Sequence, residues 1–110
     1  MNITTHQLEA VTVVRLAGDL DTSSSTPAQD AINEVIDGGA IDLLINLEDV
    51  GFVSSAGLRV LLATAKRLGA EDGHLRISNL NETVNEVFEI SGFSSILNVF
   101  PTQEDALRGS

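Results

Sequence analysis

The chain contains no cysteine. That excludes disulfides, thiolate nucleophiles and cysteine-ligated metal, and it fits a reducing compartment. Basic residues are scarce too: six Lys and Arg stand against sixteen Asp and Glu, for a formal net charge of −10. The six are scattered as Arg15, Arg59, Lys66, Arg67, Arg76 and Arg108. Without a basic stripe to neutralise phosphates, nucleic acid is not an expected partner, and the same repulsion disfavours anionic membrane surfaces. No run approaches the ~18 apolar residues that would span a bilayer. The opening MNITTHQLEA has no basic cluster followed by an apolar stretch, so no signal peptide is expected and the location expected is cytoplasmic. In its plainest reading the acid excess confers solubility. In a functional reading it draws in a partner with a basic face.

Several chemistries are missing as motifs. There is no glycine-rich G-x-x-x-x-G-K-[ST] loop, so an NAD or ATP cofactor is not expected. There is no His-x-x-x-His pair and no Asp-x-Asp-x-Asp-Gly loop, so no metal is expected either. Glu48 and Asp49, adjacent at the end of an apolar run, read as strand-end solvation rather than a cation site. A hydrolase nucleophile elbow reads G-x-S-x-G, whereas Val53-Ser54-Ser55-Ala56-Gly57 has no glycine two before either serine. The two histidines, His6 and His74, read as solvated, which leaves a serine without a general base. The expectation is a protein that is not an enzyme.

What is present is a regular alternation of strand and helix patterns over 110 residues, one domain's worth. Residues 3–8 and 11–17 alternate at period two and predict an antiparallel hairpin turning at Glu9-Ala10. Ala28, Ala31, Ile32, Val35 and Ile36 recur at helical spacing, with a Ser or Thr from 23–26 as cap, Pro27 in the first turn and Gly38-Gly39 at the end. The run Leu43-Leu44-Ile45 then Leu47 predicts a strand buried on both faces, as in a parallel sheet covered by helices. A helix from Ser55 to Leu68 follows, with Leu58, Leu61, Leu62, Ala65 and Leu68 as its apolar stripe and Gly69 closing it. HLRISNL predicts another strand, Asn81 caps a helix running to Ile90, SILNVF supplies an edge strand, and Thr102 to Asp105 resembles a capping box. Phe52 and Phe93 read as core residues. The order β-β-α-β-α-β-α-β-α argues for an α/β fold with a mostly parallel mixed sheet, an N-terminal antiparallel hairpin and about four helices.

Ser54 and Ser55 stand at the junction of a strand exit and a helix start, outside the carboxyl end of the buried strand. A helix start offers unpaired N–H groups and a positive dipole end to an anion. One serine can be a cap worth about 1 kcal/mol, the other incidental. Equally, a phosphate attached there would be tolerated by its own helix while changing what the surface binds. On the residues alone both readings stand.

The stretch Asn46-Leu47-Glu48-Asp49-Val50-Gly51-Phe52-Val53-Ser54-Ser55-Ala56-Gly57-Leu58-Arg59-Val60-Leu61-Leu62 resembles the signature of bacterial anti-sigma factor antagonists, single STAS domains (named for sulfate transporters and anti-sigma factor antagonists). Gly18-Asp19-Leu20-Asp21 is similar to the family's Gly-acid-Leu-Asp element. Phe88-Glu89-Ile90-Ser91-Gly92-Phe93 resembles its later Phe-x-x-Ser-Gly-Leu segment, with Phe93 in place of Leu. The resemblance covers nearly the whole chain and implies a single STAS domain over 1–110. It implies a partner switch: the unmodified protein binds an anti-sigma factor that is also a serine kinase, releasing a sigma factor, and phosphorylation by that kinase ends the binding until a serine phosphatase restores it. Aligned on Gly57-Leu58, the acceptor falls on Ser55, and Ser54 is the alternative. Many members carry Asp immediately before the acceptor; Ser54 stands there instead, removing a local charge and adding a hydroxyl. The partner-binding residues expected on this resemblance are Asp19, Asp21, Ser54, Ser55, Ala56, Gly57 and Arg59. The expected state is a monomer or weak dimer. Two other readings are a STAS scaffold subunit of a signalling or transport-associated complex without phospho-switching, and a small serine hydrolase, against which the lack of a histidine base argues.

Overall fold

A computed structural model of the protein describes residues 1–109. The period-two runs form strands β1 (Asn2–Leu8) and β2 (Val11–Ala17), an antiparallel hairpin that turns at Glu9 with a left-handed φ of 56°. Helix α1 (Ser25–Asp37) leads to β3 (Asp42–Asp49), α2 (Ser55–Ala70) to β4 (His74–Ser78), and α3 (Glu82–Ser91) to the short β5 (Asn98–Phe100). Helix α4 (Gln103–Arg108) closes the chain, and a 3-10 turn at Phe93–Ser95 precedes β5. The sheet order is β1-β2-β3-β4-β5, with every pair after the hairpin parallel. The expected class and element order are both found.

Strand alternation divides the core. Val14, Leu16, Leu43, Ile45, Leu47, Leu75 and Ile77 bury one face of the sheet with residues of α1, α2 and α3, among them Ile32, Leu61 and Phe88. Val11, Val13 and Leu44 bury the other face with Ala106 of α4. Helical cover is therefore unequal, three helices on one side and one short helix on the other. The strip under α4 also holds Arg76, 5% exposed, whose guanidinium donates to the Ala106 carbonyl at 2.9 Å and to Asp42 at 3.2 Å. A buried arginine is tolerated only when its donors are paired, and here they are.

Several sequence expectations are corrected. Helix α2 runs through Gly69 to Ala70, and the left-handed residue that ends it is Asp72, with φ 59°. Gly73 N–H returns to the Leu68 carbonyl at 2.7 Å, so the stop signal lies three residues later than expected. The buried stripe of α2 includes Val60 and Thr64, while Leu62 is half-buried. Ser24 precedes α1 but caps none of its amides; its hydroxyl donates to the Asp19 carbonyl at 2.7 Å instead. Phe52 is 43% exposed rather than core, whereas Phe93 is half-buried and packs edge-on against Phe88 with centroids 6.4 Å apart. Glu48 and Asp49 are exposed but not merely solvated: both face Arg15 of β2, at 3.0 and 3.3 Å.

Candidate functional site

At the carboxyl ends of β2 and β3 the chain leaves the sheet as two loops that are stitched together. Gly18 N–H donates to the Asp49 carbonyl at 3.0 Å, Leu20 N–H to Phe52 at 2.9 Å, and Ser54 N–H to Leu20 at 2.9 Å. Leu20 and Val53, both fully buried, form an isolated parallel bridge. The seam brings Asp19 and Asp21 alongside the segment that ends in Ser54 and Ser55.

Gly57 sets how closely α2 approaches this seam. A Cβ there would collide with the Leu20 carbonyl oxygen and stand 2.9 Å from both Leu20 Cγ and Val53 Cγ1. Only a residue without a side chain lets the first turn of α2 rest on the 19–21 loop. Gly57 is accordingly buried beneath the site and offers a partner no surface of its own. Gly51 has a milder version of the same role, since a Cβ there would lie 3.2 Å from Asp19 Oδ1.

The two serines divide their work. Ser54 is the N-cap of α2, with extended backbone, and its half-buried oxygen accepts from the Gly57 N–H at 3.3 Å. Ser55 is the first helical residue and is exposed; among the described residues its hydroxyl has no hydrogen-bond partner. The first turn of α2 carries no acid, in contrast to α3 with Glu82 and α4 with Glu104 and Asp105. The first turn of α2 thus has no acid of its own, though the helix dipole favours one.

Asp21 faces α1 rather than α2. Its Oδ1 accepts from the Ser23 hydroxyl at 2.8 Å and from the Ser23 and Ser24 N–H groups at 3.0 and 3.2 Å. The Ser23 hydroxyl holds this carboxyl below its ordinary range; burial opposes it, and the Ser24 and Ser23 amides add to the lowering. Asp19 is exposed beside it. Between α1 and α2, next to Ser55, runs an open groove whose lining includes Thr22, Gln29, Asp30, half-buried Ala56 and exposed Arg59. A serine hydrolase would need a histidine beside Ser55. His74 pairs with Asp42 at the amino end of β3, seven residues from Asp49 and so about 23 Å along the strand. His6 lies opposite Val13 on β1. Among the described residues there is no cluster that could hold a metal ion, and no helix is long and apolar enough to cross a membrane.

One residue that positions the site was legible in the sequence only as a cap. Asn81 accepts from Val84 N–H at 2.7 Å, and its amide also donates to the carbonyls of Val50 and Gly51 at 3.1 and 3.3 Å. It therefore pins the loop that presents the serines.

Residues 2–106 match the STAS domain, and the chain belongs to that family. The anti-sigma-B factor antagonist of Bacillus subtilis is 30% identical over 108 residues, 98% of each chain. The crystal structure of an anti-sigma factor antagonist from Mycobacterium paratuberculosis is similar with a TM-score of 0.89 at 27% identity, over 98% of this chain and 92% of that one. The anti-sigma factor antagonist SpoIIAA is similar in its unphosphorylated form with a TM-score of 0.79 at 26% identity, over 99% and 98% of the two chains. Its phosphorylated form, from Bacillus, gives 0.72 at 26% identity over 97% of each chain.

Proposed function

We propose that this protein is an anti-sigma factor antagonist switched by phosphorylation of Ser55. In this reading the unmodified protein binds an anti-sigma factor that is also a serine kinase, freeing a sigma factor. The contact surface is Ser55, Ala56 and Arg59 at the start of α2, with Asp19 and Asp21 on the adjoining loop. The observation that carries the choice of acceptor is the division of labour between the serines. Ser54 is committed to its cap at 3.3 Å, whereas the Ser55 hydroxyl is exposed and uncommitted. The existence of SpoIIAA in unphosphorylated and phosphorylated forms supports a switch in this chain.

The chemistry asks little of the antagonist. Ser55 Oγ attacks the γ-phosphorus of ATP held by the kinase, the bond to the β,γ-bridging oxygen breaks, ADP leaves, and the hydroxyl proton passes to a base on the kinase. A phosphatase reverses the state with water, returning the hydroxyl and inorganic phosphate. On this chain the new group adds about −1.5 to −2 charge at a helix start that stabilises it. Against a close-packed partner that same charge meets desolvation and repulsion, and a penalty of ~3 kcal/mol lowers affinity about 150-fold. The protein is a regulatory module, with all catalysis supplied by its partners.

The test is intact mass and site mapping of the protein purified from its own host, with binding of the kinase by wild type, Ser55→Ala and Ser55→Asp. Phosphate on Ser55, with binding kept by the alanine variant and weakened by the aspartate, is expected. Equal binding by Ser55→Asp and no phosphate on Ser55 would refute the switch.

A further inference from the structure

We propose that Arg59 is a built-in counter-ion for a phosphate on Ser55, folding back onto the modified residue and so withdrawing its charge from the groove between α1 and α2. This rests on the reading of Ser55 as acceptor and adds a second element to the switch.

Arg59 stands out among the cations. In a chain with sixteen acids, Arg15, Arg67, Arg76 and Arg108 each hold a carboxylate. Of the six Lys and Arg, all among the described residues, only Arg59 and Lys66 have no ion pair. Arg67, on the same helix, shows what α2 does with an arginine when carboxylates are within reach: it spans to Asp37 on α1 and pairs with Glu71 one turn on. Arg59 lies two turns earlier, and although Asp30 lines the same groove the two form no ion pair.

The helix supplies the geometry. Ser55 and Arg59 are four residues apart, which places their Cβ atoms about 5–6 Å from each other on one face. Side chains on a helix lean toward its amino end, so a residue covers the turn before its own Cα. Arg59 therefore covers the turn that begins at Ser55. Its guanidinium is a planar fork of donors matched to phosphate oxygens. Lys66 is eleven residues from Ser55, roughly 16 Å along the axis at 1.5 Å per residue, and cannot compete.

The consequence is a double change at one surface. Before modification the groove beside Ser55 carries an uncommitted cation. Afterwards it carries a phosphate, and the cation is neutralised by it. A partner surface suited to the first state loses its attraction to Arg59 as well as meeting the new charge.

The experiment uses the full chain with phosphoserine incorporated at position 55 during synthesis, so the counter-ion is tested whether or not a kinase acts there. The second ionisation of the phosphate is followed by 31P NMR in wild type, Arg59→Ala, Arg59→Lys and Lys66→Ala. A neighbouring cation favours the dianion and lowers that pKa, so Arg59→Ala is expected to raise it by about half a unit or more. Arg59→Lys recovers part of the shift, and Lys66→Ala leaves it at the wild-type value. Arg59 is exposed and alanine is a good helix former, so each variant retains the fold. A phosphate that titrates identically in wild type and Arg59→Ala overturns the counter-ion and leaves the switch itself standing. Absence of phosphate on Ser55 in the host overturns the acceptor reading, whatever the titration shows.

Discussion

Helices α2 and α3 both begin against residues 50–53, and they finish their amino ends in different ways. At α3 the cap is short, 2.7 Å from Asn81 to Val84 N–H, an acid follows at Glu82, and the capping side chain also grips two carbonyls of the loop. At α2 the cap is the longer 3.3 Å contact from Ser54, no acid follows, and the first helical residue is an exposed hydroxyl. The start of α3 is electrostatically complete. The start of α2 is secured from beneath, by Gly57 seated on Leu20 and Val53, which leaves its outer atoms uncommitted. The difference teaches that a helix end can be secured largely by packing, with a single long cap bond, while its outer polar atoms stay uncommitted.

The largest break in this comparison is expected from Gly57→Ala. The added methyl has backbone as its nearest neighbour, which cannot rotate away, so either α2 or the 19–21 loop must shift. Overpacking of this kind costs about 2 kcal/mol, read as a lower urea midpoint at unchanged slope. A midpoint equal to wild type would mean that α2 is not seated by close approach. Next comes the pair of caps. Asn81→Ala removes one cap bond and two loop bonds and is expected to cost about 1.5 kcal/mol, against about 0.5 for Ser54→Ala with its single long bond. If Ser54→Ala proved the more damaging, the contrast between the two helix starts would be reversed.

The sequence carried the architecture well because its signals were periodic. Alternation over residues 11–17, the continuous Leu43-Leu44-Ile45 run and the spacing of Ile32, Val35 and Ile36 each map onto an observed element. Single-residue signals misled where tertiary contacts outvoted them. Gly69 looks like a stop but sits inside α2, because Asp72 adopts the left-handed turn and Gly73 N–H returns to the Leu68 carbonyl. Ser24 looks like a cap but spends its hydroxyl on Asp19, since Asp21 already holds the adjoining amides. At the site, the resemblance pointed to Ser55, Asp19 and Asp21 as neighbours. It could not show that Gly57 works from below, that Asn81 reaches across to residues 50 and 51, or that Arg59 is unpaired. Each of those facts depends on residues ten or more positions apart, or on the absence of a contact, and neither leaves a local pattern.

The smallest expected effect is also the most direct measure of the vacancy at α2. An aspartate in the first turn of a helix stabilises it by about 0.5 kcal/mol when no other anion is present. Ser55→Asp should therefore raise the urea midpoint slightly, while Ser55→Ala, which removes an uncommitted hydroxyl, should leave it unchanged. Thr83→Asp on α3, an exposed first-turn position that already has Glu82 beside it, should gain less than Ser55→Asp because the second charge is repelled by the first. Added salt should shrink the Ser55→Asp gain, as screening requires for an exposed charge. Equal gains at the two helices, or a gain at Ser55 that ignores salt, would mean that the amino end of α2 is no more receptive to negative charge than that of its neighbour. No gain at all at Ser55 would count against the proposal that this helix accommodates a phosphate there.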